Sequence, residues 1–355
     1  MYPYPTLLKS QVGFLCAAGV EKRLLDCNRY DIHVQGGMPL GNKILLNVIQ
    51  VIVVMAFSPL VKGVLNRLKE RIQSKQGPSI FQPYYDIWKL FHKDEIVSDY
   101  SSWIFRAAPY LVFVTPIFVA LLIPVLTSYP LFFAFMADML GGGFILALGG
   151  FFATLAAIDT ANPYGPMGAS RTRMVGFLAE PVFMIVFFTV SFVAGSTIPY
   201  IVQKHWVTPL ANFFEPAHVL VMIAFVMLII AETGSIPVDS PSGHFELAMV
   251  DESKGLEYSG RGAALMKWGG CMKVFVLFCI FLNVLVSPWG LAQGDHIGEV
   301  LLAVPLILLK MFIFILILVI IESSLAKLRL FRIPEFLGAA FVAAVAAVMT
   351  RLLQL

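Results

Sequence analysis

Residues 231–261 read AETGSIPVDSPSGHFELAMVDESKGLEYSGR. Glu232, Asp239, Glu246, Asp251, Glu252 and Glu257 crowd this stretch, and Asp138 adds a carboxylate in an earlier loop. On either side lie apolar runs near 216–233 and 263–286, each close to the length of about 20 residues that a helix needs to cross a hydrocarbon core. These flanks decide the fold, because a charged segment between two spans must lie at a membrane surface. An acidic group at the centre of a span costs on the order of 3 kcal/mol on insertion scales, so each one is by default a site hypothesis with a partner to be named.

Working outward, apolar runs near 44–65, 105–126, 139–158, 174–199, 299–322 and 335–354 bring the expected spans to eight. Of the 355 residues, 59% are hydrophobic and 13% charged, against about 25% charged in an ordinary soluble domain. The composition predicts an all-α membrane protein. Barrel strands are excluded by run length, since they read as segments of about ten alternating residues between turns. Lys62, Arg67, Lys69, Arg71, Lys75, Lys89, Lys93 and Arg106 follow the first span, and Arg171 and Arg173 the third. Lys254, Arg261 and Lys267 follow the fifth, and Lys327, Arg329 and Arg332 the seventh, whereas the even-numbered connections hold Lys204 alone. Positive charge is retained on the cytoplasmic side. The acidic stretch is therefore expected to be cytoplasmic, with both ends of the bundle facing outward.

Residues 1–37 fit this scheme poorly. Their apolar run, Val12 to Val20, is too short to span, and Lys22, Arg23 and Arg29 would fall on the outer side. The order of a signal peptide is also missing. The working protein is expected to begin near Met38, leaving an N-terminal extension over 1–37 and a single eight-helix membrane domain over 38–355. Cys16, Cys27, Cys271 and Cys279 form no CxxC pair, and the histidines supply no HxxxH or HExxH spacing, so metal ligation by this chain is not expected. Cys271 and Cys279 sit in an apolar run, as small core residues do. Gly141, Gly142 and Gly143 open a span, where small residues serve close helix packing rather than nucleotide binding.

Residues 70–95, ERIQSKQGPSIFQPYYDIWKLFHKDE, begin as a charged extension of the first span and turn at Gly77-Pro78, a strong breaker. Beyond the turn Ile80, Phe81, Tyr84, Ile87, Trp88 and Phe91 recur at helical spacing, with Asp86, Lys89 and Lys93 on another face, which predicts an amphipathic interfacial helix. Two roles stay open for it. One is a membrane-surface helix anchored by Trp and Tyr. The other is docking of a soluble partner through Tyr84, Tyr85, Asp86, Trp88 and Lys89, joined by Arg71, Arg171 and Arg261.

In residues 158–181, Asn162-Pro163 and Gly165-Pro166 are expected to break the chain before Ser170 starts the next helix. Glu180 lies about two turns inside an apolar run and just before Pro181, which removes a backbone donor. Either Arg171 or Arg173 satisfies it, or it is a site residue. Glu232 closes the fifth span, and Asp239, Glu246, Glu252 and Glu257 follow it. Crowded carboxylates raise one another's pKa, which suits proton transfer near neutral pH; a solvated acidic face that docks a basic subunit is the alternative. Lys273 and Lys310 fall deep in the sixth and seventh spans. A Lys at mid-span is about 15 Å from either interface, too far for its stem to snorkel, so Lys310 should face the bundle interior. Glu322, nearer the cytoplasmic end of the same span, is a candidate for the same polar route.

Together ERIQSKQGPSIFQPYYDIWKLF, GASRTRMVGFLAEP and the 231–261 stretch resemble the membrane subunit at the junction of the soluble and membrane arms in the respiratory complex I superfamily. The forms GPSIFQPYYD and IPVDSPSGHFEL are more similar to formate hydrogenlyase subunit 4 and other group 4 energy-converting nickel-iron hydrogenases than to quinone-reducing complex I. The resemblance runs from about Met38 to the C-terminus. It implies eight transmembrane helices in a bacterial or archaeal cytoplasmic membrane. It further implies soluble large and small hydrogenase subunits carrying the nickel-iron site and iron-sulfur clusters, and antiporter-like membrane subunits as partners. By position it carries the family's proton route onto Glu180, Glu232, Asp239, Glu246 and Glu257. One departure stands out: the family's SRE reads Ser170-Arg171-Thr172 here, so a local carboxylate is missing at the entry to the fourth span.

Three readings follow. The first is a non-catalytic anchor and coupling subunit of an ion-translocating oxidoreductase, with no cofactor of its own and no nucleic-acid partner. The second is a quinone-binding subunit of a complex I-type dehydrogenase. The third is a standalone secondary transporter, for which no inverted repeat is visible.

Overall fold

The computed structural model describes residues 40–74, 76–98, 100–131, 133, 138–160, 162–207, 213–238, 252–286, 289–292, 297–325, 328 and 332–353, with backbone alone at 40, 252, 253 and 297. Asp239, Glu246 and the 1–37 extension lie outside the described residues. The chain divides into a unit ending at Ile44, of which only the opening of the first helix is described, and a main unit, Leu45–Leu355, which concerns everything below.

The described residues are helical throughout apart from their connections. Helix α1 is Leu40–Ile72, α2 is Gln82–Phe91, α3 is Trp103–Leu122, α4 is Met139–Ile158 and α5 is Tyr164–Ala194. After α6, Pro199–Val207, come α7, Pro216–Glu232, a 3₁₀ turn at Glu252–Gly255 and α8, Gly260–Cys279. Helix α8 runs on as a π-helical segment, Ile280–Val286, and α9, Ile297–Ser324, and α10, Ile333–Leu353, complete the order. Among the described residues seven helices are long and apolar enough to cross a membrane: α1, α3, α4, α5, α8 with its π segment, α9 and α10. Helix α7 is a shorter apolar helix.

Local chemistry explains where the helices start and stop. The Ser102 side chain accepts from the Ile104 amide and caps α3, and Asp138 does the same for α4 through the Leu140 amide, each satisfying an orphan donor of the first turn. Asp138 is therefore accounted for as a cap. Helix α5 begins at Tyr164, not after the Gly165-Pro166 pair as expected. Pro166 falls in the first turn, where its missing N–H has no intrahelical partner to lose, and Asn162 Oδ1 accepts from the Tyr164 amide. The same helix stops at Gly195 in the left-handed region (φ 70°), so the run expected to reach residue 199 is two elements. Nothing in the apolar pattern predicts the separate helix α6.

Packing makes α8 the central element: 83% of its most apolar window is buried, against 22–50% for the other spans. Gly269 allows this, since a Cβ there would lie 2.6 Å from the Val112 carbonyl oxygen of α3. Gly143 has the same role between α4 and α5, where a Cβ would sit 2.9 Å from the Phe183 ring. The perimeter exposes Phe144, Leu301, Leu302, Ile320 and Val342, an apolar surface suited to lipid or to other membrane subunits. At the end of α3, Pro124 cannot donate to the Ala120 carbonyl. Gln50 of α1, fully buried, donates to Ala120 and Ile123 instead. Asn283 of the π segment likewise donates to the Pro124 and Val125 carbonyls.

Candidate functional site: a cavity lined by paired charges

Three of the sequence candidates, Glu180, Glu232 and Lys273, come together in one cavity. It is lined by α4 (Gly143, Ala147, Gly150), α5 (Arg173, Gly176, Glu180), the end of α7 (Glu232) and α8 (Lys273), with Lys254 from the 3₁₀ turn. Its internal volume of about 100 Å³ is room for several waters. Glu232 and Lys273 form an ion pair at 2.5 Å, and Arg173 meets Glu180 at 3.3 Å. Arg173 lies seven residues before Glu180, two helical turns on one face, and its guanidinium also covers the Phe151 ring at 5.3 Å. Arg171, two residues earlier, is not that partner. Glu180 and Arg173 also line an open groove with Phe144, Leu148 and Phe151 on the perimeter. A chain of ionisable groups thus leads from the perimeter to the central helix.

A second pair adjoins the cavity through Ser235, the residue after cavity-lining Gly234. Lys69, near the end of α1, reaches Glu322 of α9 at 3.0 Å and donates to Ser235 Oγ at 2.5 Å, with both charged side chains under 10% exposed. Ser235 in turn meets the Thr233 hydroxyl. Sequence counting places Lys69 among the surface cations of its loop, because α1 stays helical beyond its apolar run. The third group is Lys310, buried as expected, which donates to Asn283 Oδ1 at 3.0 Å and lies over the Trp289 ring. Asn283 carried no sequence signal beyond being a polar residue within an apolar run, and that signal would have sufficed to find it.

The remaining candidates are spread over the end of the bundle that holds the cavity. Asn162 Nδ2 donates to Glu257 Oε1, and Glu252 contributes the first backbone position of the 3₁₀ turn. The neighbouring Tyr258 stacks on Phe105 at 4.1 Å and donates to its carbonyl; burial, reinforced by Asp159 and Glu95, pushes this phenol above the ordinary tyrosine range. Helix α2 rests on α1 and α8. Lys267 of α8 meets Asp86 at 3.2 Å, Ile87 is buried, and Tyr84 donates to the Ala56 carbonyl, its phenol also raised by burial. Gly63 lets the preceding turn settle there, since a Cβ would fall 2.0 Å from the Ile80 oxygen. Tyr85 and Trp88 are 65% and 70% exposed, and Lys89, Arg71 and Arg261 are exposed as well.

With this geometry in place, the family model described as NADH dehydrogenase matches residues 44–352. The chain belongs to that family. It is 33% identical over 302 residues to formate hydrogenlyase subunit 4 of Escherichia coli (strain K12), covering 84% of this chain and 95% of the relative. It is 31% identical over 294 residues to hydrogenase-4 component C of the same organism, covering 81% and 90%. The fold matches a chain in the structure of the membrane-bound sulfane sulfur reductase, an archaeal respiratory membrane complex, with a TM-score of 0.74 at 19% identity, over 87% of this chain and 99% of that one. The resemblance carried by the loop motifs is thus borne out across nearly the whole membrane domain, and the chain is a multi-pass membrane protein of this family.

Proposed function

We propose that this chain is the membrane-anchor and coupling subunit of a multi-subunit, ion-translocating oxidoreductase of the group 4 nickel-iron hydrogenase or formate hydrogenlyase type. In this reading α7 is the fifth of eight spans; its 17 residues sit at the lower end of the range of about 17–25 that crosses a bilayer. Helix α2 lies at the interface, the cavity end of the bundle faces the cytoplasm, and the membrane is the bacterial or archaeal cytoplasmic one. Soluble subunits hold the nickel-iron site and iron-sulfur clusters, and antiporter-like subunits cover part of the apolar perimeter. The observation that carries the reading is the cavity itself. Its walls set two carboxylates, Glu232 and Glu180, against Lys273 and Arg173. An ion pair between separate helices, as Glu232 and Lys273 form, links the state of the carboxylate to the positions of those helices, and a coupling element needs such a link.

The test uses the native complex in sealed vesicles. Glu180→Gln and Glu232→Gln should leave the complex assembled, with soluble subunits co-purifying, while lowering ion translocation per electron. Wild-type translocation in both variants removes the cavity from the route, and a chain that purifies without redox subunits removes the coupling role altogether.

A further inference from the structure

Helix α7 carries a second polar group at its other end. His218 is fourteen residues before Glu232, about 21 Å along the helix at 1.5 Å per residue, and is fully buried. Its ring stacks on Trp206 of α6 at 3.8 Å, with Phe213 at 5.4 Å. The Leu285 carbonyl of the π segment lies beside it, yet neither ring nitrogen completes a well-aligned hydrogen bond among the described residues. The same holds for Trp206 Nε1 and Gln203 Oε1 on α6 and for Ser191 Oγ near the end of α5. These three residues are 3%, 1% and 8% exposed. Polar atoms sealed away without partners cost about 1–3 kcal/mol each, and in native proteins such groups are matched by internal water making about three hydrogen bonds. Two residues before Leu285, Asn283 holds Lys310.

We propose that these side chains line an internal hydrated compartment at the end of the bundle opposite the Glu232 cavity, and that His218 relays a proton there between the Lys310–Asn283 pair and the surface. The relay is balanced: the imidazole accepts a proton at one nitrogen and releases one from the other. The charged and titratable neighbours are His205, beside Trp206 at 5.1 Å, the Glu215–Arg351 ion pair at 2.6 Å, exposed Lys204 and Lys310. Between this compartment and the cavity stands an aromatic layer, Phe225, Phe278, Phe281 and Phe314, with Phe281 and Phe314 at 4.7 Å and Phe278 and Phe314 at 5.1 Å. The geometry is that of two polar half-routes closed to each other. The hydration claim stands by itself, and the relay claim rests on the coupling function proposed above.

Radiolytic hydroxyl-radical labelling in ¹⁸O water tests hydration on the wild-type complex in nanodiscs, because radicals born at internal water mark the side chains beside it. After correction for intrinsic reactivity, Trp206 and His218 should label at least tenfold faster than the buried Phe225 and Phe275; equal rates overturn the compartment. Ion flux in vesicles then tests the relay. His218→Asn should cut flux at least fivefold, as Glu232→Gln does. Loss in Glu232→Gln with full flux in His218→Asn overturns the relay alone, and full flux in both overturns the relay and also takes Glu232 out of the ion route.

Discussion

Glu232 and Lys273 are 41 residues apart in the chain and 2.5 Å apart in space. Each neutralises the other on the cavity wall, where both side chains are only partly exposed. Lys273→Met should therefore disturb Glu232 as much as direct neutralisation does, and both variants should show the same fall in ion flux; independent, additive effects would show that the pair does not act as a unit. The Lys69–Glu322 pair is more deeply buried, so its energetics are sharper. Glu322→Gln strands a buried ammonium, and loss of one partner in such a pair costs about 3–5 kcal/mol. Combining Lys69→Met with Glu322→Leu removes both charges and should recover most of that loss. Thermal melting of the detergent-solubilised complex reads the cycle; a double variant no more stable than Glu322→Gln would mean that the pair adds nothing beyond packing.

At the scale of elements, α2 divides its residues between two tasks. Ile87, Tyr84 and Asp86 face the bundle through burial, a hydrogen bond to α1 and an ion pair to α8, while Tyr85 and Trp88 point away. Ile87→Ala should destabilise by about 2–5 kcal/mol, as large-to-small changes at buried sites do, visible as a lowered melting temperature. Tyr85→Ala with Trp88→Ala should leave melting unchanged and weaken retention of the soluble subunits; unaltered co-purification assigns that face to lipid headgroups. Periodicity found this helix, but not the direction of Tyr84, since that depends on where α1 lies. Helix α6 was invisible for a related reason. Its nine residues carry no apolar run long enough to stand out, and only the left-handed stop at Gly195 separates it from α5.

For the whole molecule, orientation follows from where the cations lie. If α7 crosses the membrane, a cysteine replacing exposed Arg261 should react with an impermeant maleimide from the cytoplasmic side, and one replacing Lys204 from the opposite side. Reaction of both from the same side would make α7 a re-entrant element and leave seven crossings. The labelling uses a chain with Cys16 and Cys27 replaced by serine; Cys271 and Cys279 are buried and should contribute no background.

The membrane class, most of the spans and the identity of nearly every cavity charge were determined by the sequence, because apolar run length and an ionisable residue inside such a run are one-dimensional signals. The family was legible as well, in the loop motifs around residues 70–91, 168–181 and 231–261. Only the tertiary structure decided the partners: Arg173 rather than Arg171 for Glu180, Lys273 for Glu232, Lys69 for Glu322 and Asn283 for Lys310. Burial makes an unpaired charge costly wherever it occurs, so the chain announces that a partner must exist. Which partner it is depends on how helices distant in sequence are rotated and stacked, and that is settled by packing around α8.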